Sequence, residues 1–321
     1  MNLAKKTTNI DQAAQLLRSK RRIALFAHTH PDGDTIGATT ALALALRSLG
    51  NVVNVFCDTP MESKLVNEFK EVGEISTDFG GKYDLCVAVD CGDISRIGEL
   101  AGFYGRFAET LTIDHHGGEY YSKYNCLKSY ASTCQIVYEI IKSLNVQIDE
   151  IIATYLYMGL CTDTGNFAHA NTDKACFNMA ADLCERGARM EQINRVFFKD
   201  ISLAQTKLLC RALTHMRTFY DGKLVLMYLT QEDLAEFGLQ FNASSFLVPY
   251  AINVDTAIVG VCMTEYAPNV YKVSMRGKGF SVREVCNEFG GGGHELAAAC
   301  MISGFLEDVI EKIARVVGYT I

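Results

Sequence analysis

The sequence has no long apolar run and no excess of positive charge. No segment approaches the apolar length that a membrane-spanning helix needs, and residues 1–22 contain no continuous apolar stretch of the kind found in secretory signals. Lys and Arg number 30 against 37 Asp and Glu, and the net charge of −7 argues against a broad basic face that coats long duplex DNA. These absences predict a cytoplasmic protein whose partners include neither a membrane nor long duplex nucleic acid.

The sequence also lacks a CxxC pair, although it contains 12 cysteines. Without a secretion signal, these cysteines are better explained as reduced thiols than as disulfides. Several of them, including Cys86 and Cys161, interrupt apolar runs, where cysteine serves as a small hydrophobic residue. We therefore expect no disulfide framework.

The composition is that of a folded protein, with 49% hydrophobic and 21% charged residues in a chain of 321. This length favours two domains over one. The sequence contains no internal repeat and no low-complexity tract. An acidic protein can still bind a small anionic substrate, because metal ions and a few arginines set the field within a site.

Apolar strands alternate with helical segments over the first part of the chain. Residues 23–28 form an apolar run, followed by the polar loop HPDGD and a helix predicted over residues 35–49, with Gly50 just past its end. Further strands are predicted at residues 52–56, 85–89 and 111–113, and further helices at residues 132–144, 149–162 and 172–186. Continuous apolar strands separated by helices indicate a buried parallel sheet within residues 1–188.

The rest of the chain has a different pattern. Residues 189–218 are helical and more charged, which suits a connector between domains, although no Pro/Gly/Ser-rich linker marks the border. Residues 219–321 contain the β-rich runs KLVLMYLT, DTAIVGVCMTE and NVYKVSMRG, then a glycine-rich loop and a helix predicted over residues 306–317. This pattern predicts a smaller α/β domain with its own sheet.

Acidic residues and histidine follow the first predicted strand in the sequence HTHPDGD. His28 ends the strand, and Asp32 and Asp34 lie two residues apart in the loop. Carboxylates with this spacing in an extended loop can reach two neighbouring metal ions. The alternative is structural, with Asp34 capping the next helix and Asp32 forming a turn.

Further acidic residues end other strands and a helix. Asp90 ends LCVAVD and Asp114 ends LTID, and the carboxyl ends of parallel strands form the edge where open α/β sheets bind ligands. His115 and His116 follow Asp114 directly, and Asp163 closes a helix in CTDTGNF. A mixture of imidazole and carboxylate ligands suits Mn²⁺ better than a structural zinc ion. Two such ions close together form an arrangement that phosphoester hydrolysis uses repeatedly.

A glycine run near the C-terminus carries a second candidate site. Four glycines precede His294, so backbone N–H groups are free to approach a ligand, and the helix-like ELAAA that follows would aim its N-terminus at phosphate. Arg276 follows the strand YKVSM, where a guanidinium can bind a terminal phosphate through two hydrogen bonds. The structural alternatives are a flexible loop and a charged hairpin tip, and we favour the latter for Lys278.

The motifs HTHPDGDTIGA, DCGD, DHH, CTDTG and GGGGHELAAA, taken together and in this order, resemble the signature motifs of DHH/DHHA1 phosphoesterases. They are most similar to the NrnA-like group, whose members are bifunctional oligoribonucleases and pAp phosphatases. The motifs run from residue 28 to residue 299 and so span most of the chain. The resemblance implies an N-terminal parallel-sheet DHH domain over residues 1–188, a helical connector over 189–218 and a smaller C-terminal α/β DHHA1 domain over 219–321.

The resemblance also implies roles for individual residues. One Mn²⁺ would be bound by His28, Asp32 and Asp90, and a second by Asp34, Asp90, His115 and Asp163, with Mg²⁺ as the alternative ion. Asp90 would bridge both ions and, with His116 facing the scissile phosphate, take part in catalysis. Asp114 would orient a ligand histidine. Nucleotide phosphate and base would be held by His116, Arg276, Gly291, Gly292, Gly293 and His294. Two departures, His30 in place of a smaller polar residue and Gln135 in place of Glu, remove no ligand.

The preferred function is hydrolysis of short oligoribonucleotides (nanoRNA) to mononucleotides, together with conversion of pAp to AMP. A rival within the class is a phosphodiesterase for linear dinucleotides such as pApA or pGpG. A family II pyrophosphatase would have a different second domain, and a RecJ-like exonuclease would need an additional one. A catalytically silent nucleotide-binding regulator would lack ligands that are all present here. The sequence leaves open the substrate length, RNA against DNA, the polarity of cleavage and whether the chain forms a homodimer.

Overall fold

The computed structural model describes residues 5–117, 120–319 and 321. The chain forms two compact units, Met1–Asp200 and Ile201–Ile321. The division falls inside the segment 189–218 that the sequence predicts as a connector, and the three-part division itself remains a prediction. Each unit has its own sheet and its own buried core.

The first unit is built on a seven-stranded sheet in which every pair of neighbours is parallel. The strand order is β1-β7-β6-β5-β2-β3-β4. The strands are β1 (Lys6–Thr7), β2 (Arg22–Phe26), β3 (Val52–Phe56), β4 (Ile75–Ser76), β5 (Leu85–Val89), β6 (Thr110–Asp114) and β7 (Tyr124–Leu127). All residues of β5 and β6 are buried, as expected for strands that are covered on both faces.

The direction of strand addition changes between β2 and β5. From β2 the chain passes to β3 and β4 on one side, then returns to place β5 against the other side of β2. In an open parallel sheet, loops leave such a switch point in opposite directions and open a crevice at the carboxyl ends of the strands. This edge is where the sequence predicts the metal ligands.

Helices cover both faces of this sheet. They are α1 (Ile10–Arg18), α2 (Gly33–Ser48), α3 (Ser63–Glu68), α4 (Ala101–Tyr104), α5 (Thr133–Ser143), α6 (Glu150–Asp163), α7 (Lys174–Glu185) and α8 (Met190–Asn194), with 3₁₀ turns at Lys70–Glu74 and Ile94–Leu100 and a π turn at Arg195–Lys199. Helices α2 and α6 pack closely, because a Cβ atom on Gly37 would lie 2.4 Å from the carbonyl oxygen of Tyr155. Gly50 has φ +86°, in agreement with its predicted place after α2.

The second unit contains a six-stranded sheet with the order β12-β13-β11-β10-β9-β8. Strands β9 and β10 are parallel and the other neighbours are antiparallel. The strands are β8 (Arg217–Phe219), β9 (Leu224–Leu229), β10 (Val259–Ala267), β11 (Val270–Gly277), β12 (Gly292–His294) and β13 (Ala297–Ser303), and the helices are α9 (Leu203–Thr214), α10 (Gln231–Glu236), α11 (Val248–Ile252), α12 (Val282–Glu288) and α13 (Leu306–Gly318). The predicted α/β class, with a parallel N-terminal sheet and a smaller C-terminal sheet, is confirmed.

The two faces of β11 have different neighbours. Tyr271, Val273 and Met275 are buried in a core with residues of α12 and α13. Lys272, Ser274 and Arg276 alternate with them and therefore lie on the opposite face. On that face a second core, formed with α9, α10 and α11, covers β9 and part of β10.

The helix predicted for ELAAA after the glycine run is wrong. Glu295 and Leu296 form a turn, and the alanines begin β13, which pairs with β11 on one side and β12 on the other. Alanine favours a helix locally, but sheet pairing overrides that preference here. The backbones of β12 and β13 also lie close together. A Cβ atom on Gly293 of β12 would lie 2.6 Å from the carbonyl oxygen of Ala297 in β13, so a glycine is needed at position 293.

Candidate functional site

The predicted metal ligands of the first unit meet at the carboxyl edge of three neighbouring strands. His28 lies two residues beyond β2, Asp90 follows β5 directly, and Asp114 is the last residue of β6. Ligand atoms within 4.8 Å of one another form three groups, which are His28 with Asp32 and Asp90, Asp34 with His115 and Asp163, and Asp90 with Asp114, His115 and His116. All six residues predicted as metal ligands belong to these groups.

Asp90 lies at the centre of this cluster. Its side chain is buried, and its φ of +60° is uncommon for a residue other than glycine. The hydroxyl of Thr35 donates to Oδ2 at 2.7 Å, and the hydroxyl of Thr133 donates to Oδ1 at 2.9 Å. Each carboxylate oxygen also faces a different imidazole, with His28 Nε2 at 3.8 Å from Oδ2 and His115 Nε2 at 3.7 Å from Oδ1. The Asp90 carboxylate therefore offers a separate oxygen atom towards each of these two imidazoles.

The two imidazoles are oriented by backbone carbonyl groups. His28 Nδ1 lies 2.7 Å from the carbonyl oxygen of Thr29, and His115 Nδ1 lies 3.1 Å from that of Tyr130. With Nδ1 protonated and donating, Nε2 carries the free lone pair, as metal-binding histidines require. Both Nε2 atoms are buried, and among the described residues neither has a partner in hydrogen-bond geometry, although His115 Nε2 lies 3.2 Å from Asp163 Oδ2. Unsatisfied buried nitrogens surrounded by carboxylates fit a bound cation.

Asp32 and Asp34 each combine a structural contact with a place in the cluster. Asp32 caps α2, since its Oδ1 accepts from the backbone N–H groups of Asp34 and Thr35, both at 3.0 Å. Asp34 is fully buried and accepts from the backbone N–H groups of Thr133 at 2.6 Å and Cys134 at 2.9 Å, at the N-terminus of α5. The alternative in which Asp34 caps the helix that follows it is therefore wrong. Asp32 caps α2, and Asp34 contacts the N-terminus of α5.

The carboxylates of the cluster repel one another. Burial, together with the charges of Asp90 and Asp163, raises the pKa of Asp34 well above its usual value. Burial, together with the charge of Asp32, raises the pKa of Asp90 to about 6. Bound cations reverse this balance, because they favour the charged form of each carboxylate. The electrostatics of the cluster thus fit divalent metal ions, as the donor set does.

Asp114 contacts His116, which is not one of the two histidines predicted as metal ligands. Its Oδ1 accepts from the backbone N–H of His116 at 2.8 Å and lies 2.8 Å from His116 Nδ1. The expected ligand, His115, is instead oriented by Tyr130. The His116 side chain is 45% exposed, and with Nδ1 engaged its Nε2 is the atom available to a substrate. This placement suits a contact with phosphate.

Sequence reasoning missed Thr35 and Thr133. Thr35 stands beside Asp34 in HTHPDGDTIGA, so the motif itself could have drawn attention to it. Thr133 could not be found by spacing, because it reaches Asp90 across 43 positions of the chain. Gln135, in the same helix, accepts from the backbone N–H of Ala131 at 2.8 Å, whereas His30 makes a backbone hydrogen bond to Thr59 Oγ1 and joins no ligand group.

Four of the five predicted substrate residues of the second unit line a pocket of about 440 Å³. Arg276, Gly292, Gly293 and His294 belong to its lining, and Gly291 does not. A Cβ atom on Gly291 would lie 2.3 Å from the Ala299 carbonyl oxygen, so that glycine is explained by backbone packing. Lys278 also lies outside the lining, where its Nζ donates to the carbonyl oxygen of Val254 at 2.9 Å.

Within the described ranges, no helix has both the length and the apolar character that crossing a bilayer requires.

Comparison with known proteins places these motifs in a family. Residues 22–160 match the family model described as DHH family, N-terminal domain, and residues 231–319 match that of the DHHA1 domain. The ligand cluster lies almost entirely in the first matched range, and Arg276 and His294 lie in the second.

Relatives match along nearly the whole chain. The "Bifunctional oligoribonuclease and PAP phosphatase NrnA" of Thermus thermophilus is 29% identical, over 92% of this chain and 89% of its own. The protein of the same name from Mycoplasma genitalium is 26% identical, over 96% of this chain and 99% of its own. Among solved structures, an exopolyphosphatase-related protein from Bacteroides fragilis has the same fold, with a TM-score of 0.84 and 22% identity over 97% of this chain and 95% of its own. The resemblance inferred from the motifs is confirmed, and the chain belongs to the DHH/DHHA1 family of phosphoesterases.

Proposed function

We propose that the chain is a two-metal phosphoesterase that hydrolyses short oligoribonucleotides to mononucleotides and pAp to AMP. The observation that carries the proposal is the arrangement around Asp90, whose two oxygens face the unsatisfied Nε2 atoms of His28 and His115. The names of the relatives from Thermus thermophilus and Mycoplasma genitalium support the choice of substrates.

The proposed ligand sets follow the groups in the structure. One ion would be held by His28, Asp32 and Asp90. The other would be held by Asp34, His115 and Asp163, with Asp90 shared between the two. A donor set of imidazole and carboxylate without thiolate favours Mn²⁺, with Mg²⁺ as the alternative. When bound, such ions supply Lewis acidity and an acidified water.

The remaining roles belong to side chains of the chain itself. His116, held through Nδ1 by Asp114, would present Nε2 to a phosphoryl oxygen. Arg276 and His294, together with the backbone of Gly292 and Gly293, would hold the nucleotide. Thr35 and Thr133 would keep the Asp90 carboxylate in one plane.

The test is turnover of pApA, pAp and a long single-stranded RNA with Mn²⁺, with Mg²⁺ and with excess chelator. We expect hydrolysis of the short substrates with Mn²⁺ and none in chelator. Full activity in chelator would overturn the two-metal proposal. A protein that binds Mn²⁺ and nucleotide but turns over neither pApA nor pAp would be a regulator of the kind considered above.

The replacement Asp90→Asn sharpens this test. It keeps the size of the side chain but removes the charge that two ions would share, so activity should fall by several orders of magnitude and Mn²⁺ binding should weaken. Asp93→Asn is the matched control, because Asp93 lies in the same DCGD motif but caps the turn Ile94–Leu100. Nearly equal activity of Asp90→Asn and the wild type would show that Asp90 does not bridge the ions.

A further inference from the structure

The pocket of the second unit is electropositive in an acidic protein. Among the described residues that line it, none is Asp or Glu, although the chain has 37 of them. Lys272, Arg276 and His294 are the basic residues of the lining. This distribution predicts an anionic ligand.

Among the residues that the structure describes, the two cations on β11 have no acidic partner. Neither Lys272 nor Arg276 forms an ion pair with any carboxylate in the described part of the chain, whereas Arg195, Arg211 and Arg217 each pair with one or two. The Arg276 side chain donates to the carbonyl oxygen of Met275, and the Lys272 ammonium lies 5.5 Å from the centre of the Phe241 ring. An exposed cation over an aromatic ring is held weakly, so both charges are available to a ligand.

Strand β11 places the charged side chains of Lys272 and Arg276 on either side of Ser274. Lys272, Ser274 and Arg276 occupy alternate positions of β11 and so share one face of the sheet. At about 3.4 Å per residue, the Cα atoms of Lys272 and Arg276 each lie roughly 7 Å along the strand from that of Ser274. Both long side chains can therefore reach a group seated above the Ser274 hydroxyl.

Small residues leave room beside that point. In register across the sheet, Ser274 pairs with Ala299, and Ala299 pairs with Gly292. These three residues line the pocket, so the surface next to Ser274 has space for a sugar or a base.

We propose that Lys272, Ser274 and Arg276 select a terminal phosphomonoester, so that short oligonucleotides with a phosphorylated end are preferred over those that end in a hydroxyl. A phosphomonoester carries about −1.5 to −2 charges near pH 7, which matches two cations, whereas an internal diester carries one. Lys272 is then the specificity-determining residue that distinguishes an end from the middle of a strand. This inference rests on the proposed function, because it names the class of substrate for that activity.

The experiment compares pApA with ApA, which lacks the terminal phosphate. Binding of both is measured by calorimetry in chelator, and kcat/KM is measured with Mn²⁺. The wild type should bind pApA about tenfold or more tightly than ApA. Lys272→Met, which keeps most of the aliphatic stem, should remove most of that preference, and Lys272→Arg should retain it. Lys278→Met is the control, because Lys278 follows the same strand but lies outside the pocket.

Two results would overturn the inference. One is a wild type that does not distinguish pApA from ApA, and the other is a Lys272→Met variant that binds both ligands with an equal loss. Hydrolysis of both dinucleotides at equal rates would leave the proposed function standing without this selectivity. Conversely, the wild type could bind pApA more tightly than ApA through Lys272 and yet hydrolyse neither dinucleotide in Mn²⁺. That result would support the selectivity and refute the proposed function.

Discussion

The geometry of Asp90 depends on two threonine hydroxyl groups, one on each carboxylate oxygen. Hydrogen bonds from both sides fix the plane of the carboxylate, and with it the direction of the lone pairs that would bind two ions. Thr133 also donates its backbone N–H to Asp34, so one residue positions two of the proposed ligands. Positions that bind neither metal nor substrate can therefore set metal affinity.

We predict that Thr133→Val weakens Mn²⁺ binding by roughly tenfold or more, since a hydrogen bond to a charged group contributes about 1.5 to 3 kcal/mol. Thr133→Ser keeps the hydroxyl and should bind almost as tightly as the wild type. Calorimetric titration with Mn²⁺ measures the effect directly. Thr40→Val serves as the control, because the Thr40 hydroxyl is also buried but has no hydrogen-bond partner among the described residues. Equal losses for valine and serine at position 133 would indicate a packing effect instead.

At the scale of secondary structure, much of the fold can be predicted from hydrophobic pattern. The strands predicted at residues 52–56 and 85–89 match β3 and β5 in both bounds. Strand β5 is a continuous apolar run that is buried throughout, and β3 is apolar except for the exposed Asn54. Helices α5, α6 and α7 begin and end within two residues of their predicted bounds. The ends of β2, β5 and β6 therefore identified most of the candidate site without any knowledge of the strand order.

Contacts between distant segments could not be predicted in this way. The carboxylate of Asp34 accepts hydrogen bonds from the first turn of α5, about 100 positions along the chain, and no local pattern encodes that contact. The pattern ELAAA predicts a helix for the alanines that begin β13, because the pairing of these alanines with β11 and β12 depends on tertiary structure. The pairing of Asp114 with His116 also depends on side-chain direction, which spacing alone does not determine.

The packing of α6 against α2 and α5 couples the fold to the metal cluster. A Cβ atom on Gly159 of α6 would lie 2.4 Å from Asp34 Oδ1 and 2.3 Å from the Cys134 sulfur. Such contacts are too short for any real atom, so the three elements must separate or Asp34 must turn away. Gly159 thus keeps a proposed ligand in place by its lack of a side chain.

We predict that Gly159→Ala lowers the free energy of unfolding by about 1 to 3 kcal/mol, the usual cost of overpacking a core, and also weakens Mn²⁺ binding. Chemical denaturation and metal titration measure the two effects separately. Gly102→Ala in α4 is the control, since a Cβ atom there would meet no other atom within 4 Å. Unchanged stability and unchanged metal affinity in Gly159→Ala would contradict the close packing in the structure.

The charge of the whole molecule disfavours binding of a long nucleic-acid strand. The net charge is −7, and Lys272 and Arg276 line a pocket of about 440 Å³ in the second unit. A pocket of this size holds a small ligand, on the scale of one or two nucleotides. A long nucleic acid would gain few further phosphate contacts and would meet an acidic surface, so each added nucleotide should contribute little to binding.

Dimers to pentamers should therefore be hydrolysed with a higher kcat/KM than long single-stranded RNA of the same composition. The small number of phosphate contacts also predicts how KM depends on salt concentration. A protein that neutralises only one or two phosphates through its own side chains should show a shallow dependence of log KM on log salt, because few counterions are released. Measuring kcat/KM for a dinucleotide, a pentamer and a long strand at several salt concentrations separates the two cases. Equal or greater efficiency on the long strand, with a steep salt dependence, would reveal a nucleic-acid track and refute the preference for short substrates.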